Sequence, residues 1–122
     1  MADRAAQEFH AAMLRGADEL KREIGYNSHR FQQMVADHGG VGAAKRLLAP
    51  GVDTSDGFTT LWEASRLGMS VEAFALLPWY QDPFTEDELA RARRRLEAHD
   101  FEVDGFLARA AECPPAWHVP TS

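Results

Sequence analysis

The feature that most constrains this chain is the helical spacing of its apolar residues. Between Asp3 and Ile24, the residues Phe9, Met13, Ala17, Leu20 and Ile24 recur at steps of three or four. On a repeat of about 3.6 residues this stacks them along one side of an amphipathic helix. No segment sustains the alternation of apolar β-branched and polar residues that a half-buried strand requires. The expected fold is all-α, a compact orthogonal bundle of about six or seven helices with a long N-terminal amphipathic helix.

Capping and breaking residues divide the rest of the chain. Gly25 closes the first helix, and Asn27 or Ser28 suits the start of a second, with Phe31, Met34 and Val35 inward. Gly39-Gly40 breaks that helix at a tight corner, and a third follows from Val41 to Ala49, stopped by Pro50-Gly51. Asp53-Thr54-Ser55-Asp56-Gly57 is turn and cap chemistry. It precedes a fourth helix from about Phe58 to Leu67, with Trp62 as a core residue and Gly68 at C′. Ser70 caps a short helix through Val71 and Leu77 that ends at Pro78. Thr85, with Glu88 three residues on, forms a capping box opening a helix whose inward residues are Leu89, Ala92 and Leu96. A last helix spans Gly105 to Glu112, capped by Asp104, and stops at Pro114-Pro115. The result is a single domain over residues 1–122, made of an N-terminal helix (1–24), a helical core (25–112) and a tail (113–122) expected to be mobile.

Length and charge limit what such a domain does. A chain of 122 residues buries roughly 65% of the surface its unfolded form exposes, so its core needs no metal or disulfide staple. Cys113 is the single cysteine, which excludes an internal disulfide and any multi-cysteine metal centre. No apolar run approaches the ~20 residues of a bilayer span, and no apolar signal-type segment follows Met1, so a cytoplasmic protein without a membrane partner is expected. The formal charge is −6, with residues 1–50 at +1 and residues 51–122 at −7. That balance disfavours sequence-independent nucleic-acid binding. Much of the acidity falls at expected helix starts (Asp53, Asp56, Glu72, Glu86, Asp87, Glu88 and Asp104), where it complements helix dipoles.

The linked motifs Gly25-Tyr26-Asn27, Arg30-Phe31-Gln32-Gln33-Met34, His38-Gly39-Gly40-Val41, Ala43-Ala44-Lys45-Arg46-Leu47-Leu48, Asp56-Gly57-Phe58-Thr59, Leu61-Trp62-Glu63, Arg66-Leu67, Val71-Glu72-Ala73 and Phe84-Thr85-Glu86-Asp87-Glu88-Leu89 form one pattern. It resembles an uncharacterised bacterial helical domain, found as a small protein or within larger ones. The resemblance covers about residues 25–97. It implies a helical fold and no particular reaction, and Gly68-Met69 departs from the leucine-aspartate-like pair expected there.

Candidate sites are few. His10, His29, His38, His99 and His118 make no i, i+4 pair with a nearby carboxylate, so neither metal nor cofactor is expected. His38 suits the carbonyls at the end of its helix. Cys113 has no basic neighbour but Arg109, and no nucleophile elbow, phosphate loop or dinucleotide fingerprint occurs, which points away from an enzyme. The amide of Gly40 with Lys45 and Arg46 reads as an anion site or as a simple backbone corner. Arg91, Arg93, Arg94 and Arg95 read as a phosphate-binding face or as a solvated face paired with Asp87, Glu88 and Glu97. Glu63 and Arg66 read as an ion pair. Trp79 and Tyr80, on a short connection, are candidates for an exposed recognition pair.

These features suggest a non-catalytic protein–protein interaction or regulatory module. It would meet a protein partner, or a second copy of itself, through the N-terminal stripe of Phe9, Met13 and Leu20, with Trp79, Tyr80, Arg91, Arg94 and Arg95 as further contacts. The alternative is a nucleic-acid-associated accessory protein using the Gly-Gly corner and the Arg-rich helix.

Overall fold

The computed structural model describes residues 2–118, in which six α-helices and two 3-10 turns follow one another without a strand. The helices are α1 (Ala2–Ile24), α2 (His29–Leu47), α3 (Asp56–Glu63), α4 (Val71–Leu76), α5 (Glu86–Ala98) and α6 (Val103–Ala111); the 3-10 turns are Leu67–Met69 and Pro78–Tyr80. The all-α expectation holds.

The stripe on α1 forms the centre of the core. Phe9 is fully buried and meets Tyr80 and Phe84 edge-on, with ring centroids 5.5 and 5.2 Å apart. Met13 and Leu20 are buried as well. Each such side chain contributes roughly 1.5–3 kcal/mol. The expected partner seam of Phe9, Met13 and Leu20 is therefore spent on the protein's own core.

The double glycine turns α2 without ending it. Gly39 takes φ 78° and ψ 166°, and helical backbone resumes at once, so the two helices expected here join across a kink into α2. Gly40 is needed for closeness: a Cβ there would stand 2.6 Å from the Cα of His10 on α1. Its N–H donates to His10 Nδ1 at 2.9 Å, fastening the two helices where they touch.

Helix ends follow the expected chemistry at some positions and depart at others. Ser70 caps α4, accepting from the Ala73 N–H and donating to the Leu67 carbonyl. The Thr85–Glu88 capping box opens α5. Ser55 caps α3 through the Phe58 N–H. Yet α3 stops at Glu63 rather than Leu67, because Ser65 turns left-handed at φ 58°. The Arg66 N–H then bonds the Leu61 carbonyl and the Ser65 N–H the Trp62 carbonyl, a Schellman ending with Ser65, not Gly68, at C′. Asp100, φ 61°, ends α5 in the same way, with Phe101 bonded to Leu96 and Asp100 to Glu97. α6 begins at Val103, so Asp104 lies in its first turn instead of capping it.

Within the expected tail, two aromatic side chains meet the helical body. Trp117 is half-buried on Tyr80, at 6.0 Å, beneath the Arg4 guanidinium, and His118 lies 5.7 Å from Trp79. Residues 119–122 of that expected tail lie outside the described residues.

Candidate functional site

Where α1, α2, α3 and α4 meet, their packing leaves a cavity of about 520 Å³. Small buried residues on α1, Gly16 and Ala17, leave room that larger ones would fill. Met13 and Leu20 of α1, Phe31 and Met34 of α2, Phe58 and Leu61 of α3, and Met69, Val71 and Phe74 supply apolar walls. Three of the four methionines in the sequence line it, and their unbranched side chains adapt to varied shapes. Volumes of roughly 300–1,000 Å³ are those of small-molecule sites.

Two carboxylate residues, Asp56 and Glu72, line the cavity, and Glu72 is the buried one. Glu72, in the first turn of α4, is 3% exposed, and its Oε2 accepts from Arg95 Nη1 of α5 at 3.2 Å. Burial pushes the Glu72 carboxyl above its ordinary range; its own backbone N–H, Arg95 and the nearby His99 pull it back without cancelling the shift. The same guanidinium donates to the carbonyls of Leu47 and Val52, so it also satisfies chain groups at and beyond the end of α2. Tyr26 and Asp56 lie at the polar side of the cavity. The Tyr26 hydroxyl is pushed upward by burial and then by the Asp56 charge.

A chain of contacts leads outward from Glu72. His99 Nδ1 lies 2.8 Å from the Arg95 carbonyl, to which it donates. Its ring stands edge-on to Phe58 at 4.8 Å and to Trp62 at 5.2 Å. Trp62 is 48% exposed, a correction to its expected place in the core. Phe58 and Leu61 take the inner side of α3, and the next residue is turned about 100° away.

The other expected sites are redistributed. Gly40 gives its amide to His10, and Lys45 binds Glu88 at 2.8 Å over the ring of Phe84, so the anion site of Gly40, Lys45 and Arg46 is not assembled; Arg46 is exposed. Arg91 donates to the Leu48 carbonyl rather than reaching Asp87 or Glu88. Arg93 pairs with Glu97 and Asp104, Arg94 is exposed, and Arg95 is turned inward. Tyr80 is buried and Trp79 half-buried, because α1 packs on the Pro78–Tyr80 turn; the expected exposed pair does not form. Arg66 meets Glu23 of α1 at 3.4 Å instead of Glu63. His38 is exposed, and it is His10 that binds backbone at the kink.

Serine hydroxyls at the edge of the cavity are engaged in the fold. Ser55 and Ser70 at its edge serve as helix caps, and Cys113 is exposed elsewhere. Among the described residues no group of three or more His, Cys, Asp or Glu is placed to hold a metal ion, and no helix is long and apolar enough to cross a membrane.

Fold and site together define an all-α domain with a largely apolar cavity whose lining includes Glu72, the acid of a buried ion pair. Comparison with protein-family models, curated proteins and solved structures finds no match. The roles of its residues are therefore argued from this chain's own geometry.

Proposed function

We propose that this chain is a non-catalytic protein-interaction and regulatory module, in which the α1–α4 cavity takes an apolar group and occupancy tunes docking of a protein partner. The observation that carries this reading is the cavity itself, about 520 Å³ with apolar walls drawn from four helices. The route to a partner is the linked series Glu72, Arg95, His99 and Trp62, which joins the cavity wall to a half-exposed tryptophan. Tryptophan is the residue type most often decisive at protein interfaces. Docking thus shifts from the buried α1 stripe to the surface around Trp62. The nucleic-acid reading has less support, because Lys45, Arg91 and Arg95 make their hydrogen bonds inside the chain.

The test uses protein labelled at its methionine methyl groups and titrated with naphthalene. Saturable shifts are expected at Met13, Met34 and Met69, and in the cavity-filling variant Met34→Trp the response at Met13 and Met69 should vanish. A folded wild-type chain whose three methyls do not respond overturns the reading. For the partner side, a protein retained by the wild type should be lost from Trp62→Ser at unchanged stability.

A further inference from the structure

We infer that the cavity takes a single-chain amphiphile with an anionic head, its hydrocarbon held among the helices and its head beside Lys21, His29 and Arg30. This rests on the cavity being a binding site, and it adds the class of ligand and the direction in which it lies.

The cavity continues past its apolar walls. A second hollow of about 330 Å³ adjoins it along α1 and the start of α2, sharing Ala17, Asn27 and His29 with it and adding the polar side chains of Asp18, Lys21 and Gln32. The two hollows differ in chemistry. Phe58 and Leu61 are buried in the cavity wall and Met34 and Met69 half-buried, whereas Lys21, Asn27, His29 and Arg30 are exposed. A ligand spanning both has a hydrocarbon part out of water and a polar end in it.

Charge decides which polar end fits. Asp18, the acid of the second hollow, is paired with Arg22 at 3.7 Å, while among the described residues neither Lys21 nor Arg30 forms an ion pair. His29 offers a ring N–H in either charge state. Ser28 does not cap α2 with its side chain and no acid stands in the first turn, so the positive end of that helix adds to the field at His29 and Arg30. Of the two acids in the cavity lining, Glu72 is bound to Arg95, and Asp56 lies in the first turn of α3, whose own dipole offsets it. Asp56 lines the cavity but not the second hollow, and Lys21 the reverse. An anionic head is thus drawn toward α2 and kept from the α3 side. Because it rests among exposed groups, it keeps most of its hydration and escapes the cost of burying a charge.

Octanoate, octanol and octylammonium form a matched series, each titrated against the full chain with the methionine methyls as reporters. Octanoate is expected to shift Met13, Met34 and Met69 with the highest affinity, about fivefold above octanol, and octylammonium to bind weakest. Added salt should narrow the lead of octanoate, as screening of exposed charges requires. In the double variant Lys21→Gln, Arg30→Gln, octanoate should lose its lead while octanol binding is unchanged, and Asp56→Asn should leave octanoate no weaker. Phosphatidylglycerol vesicles separate two sources of the same chemistry: sedimentation of the chain with them, reversed by octanoate, assigns the head to a bilayer lipid, and a chain that stays in solution while binding octanoate assigns it to a free amphiphile. Octanol matching octanoate on the wild-type chain, or octylammonium binding tightest, overturns the inference and leaves the cavity reading standing. If no member of the series shifts those methyls, the cavity reading fails with it. The wild-type comparison decides the matter even where a variant does not fold.

Discussion

Arg95 Nη1 lies 3.2 Å from Glu72 Oε2, and both side chains are almost out of water, at 10% and 4% exposure. The Arg22–Asp18 pair on α1 is 72% and 68% exposed at 3.7 Å. Pairs of that second kind contribute about 0–1 kcal/mol. Arg95 acts differently, since it joins α5 to α4 and, through the Leu47 and Val52 carbonyls, to the end of α2 and the loop beyond.

Arg95→Leu should therefore be among the most damaging single changes. It leaves Glu72 buried without its cation and two carbonyls without their donor, a loss of about 3–5 kcal/mol. Arg95→Lys should recover little, because one ammonium cannot reproduce a planar fork that reaches three acceptors. Urea unfolding midpoints of the three proteins check this. An Arg95→Lys chain as stable as wild type would show that charge, not geometry, is what matters there.

Two carboxylates should act on stability with opposite signs as pH changes. Glu72 has a folded-state pKa above the ordinary 4.5, through burial, so its contribution is fully present below that value and is lost as pH rises through the folded value. For Glu88, burial pushes upward but is outweighed by hydrogen bonds from Lys45 and Thr85 and by the Lys45 charge, leaving it below 4.5. Its contribution is present above 4.5 and is lost as pH falls through its folded value. Relative to wild type, Glu72→Gln should gain stability between pH 4 and pH 7, and Glu88→Gln should lose it over the same span. Unfolding midpoints at several pH values measure both, and slopes of the same sign would contradict the assignment.

Gly40→Ala should separate α1 from α2. The added Cβ meets His10 backbone at 2.6 Å, which no side-chain rotation relieves, so a cost of about 1–3 kcal/mol or more is expected. Gly16→Ala is the control. Its Cβ lies at an ordinary 3.5 Å from Phe74, and alanine favours helix over glycine by about 0.8–1.0 kcal/mol. Thermal unfolding of the pair should move in opposite directions.

Local chemistry was legible in the sequence, and long-range pairing was not. The α1 stripe, the Ser70 cap and the Thr85–Glu88 box each depend on residues a few positions apart, within reach of periodicity and capping rules. The bonds of Arg95 to Leu47 and of Gly40 to His10 span 48 and 30 positions, and nothing in the local sequence distinguishes Arg95 from its neighbours Arg93 and Arg94. Trp62 and Tyr80 exchanged expected places for the same reason. Which side of a short helix faces inward depends on what packs against it, and α1 covers Tyr80 while leaving Trp62 outside. The cavity had only one sequence trace, the methionines 13, 34 and 69 in separate segments, which converge only once the helices are assembled.

Ser65 and Asp100 offer a way to stabilise the fold without touching the cavity. Both are exposed, both sit at the C′ position of a Schellman ending, and both hold positive φ, 58° and 61°. An L side chain in that conformation costs roughly 1–2 kcal/mol, and asparagine or aspartate tolerates it better than most because its short polar group bonds locally. Glycine removes that cost but raises the entropy of the unfolded chain, so the net gain is smaller than the strain relieved. Ser65→Gly is expected to raise stability by about 0.5–1 kcal/mol, and Asp100→Gly by less. The ordering is the sharper test, since it isolates the backbone conformation from any side-chain contact. If both substitutions destabilise, the left-handed turns do not end α3 and α5 under strain, and the early stop of α3 at Glu63 needs another cause.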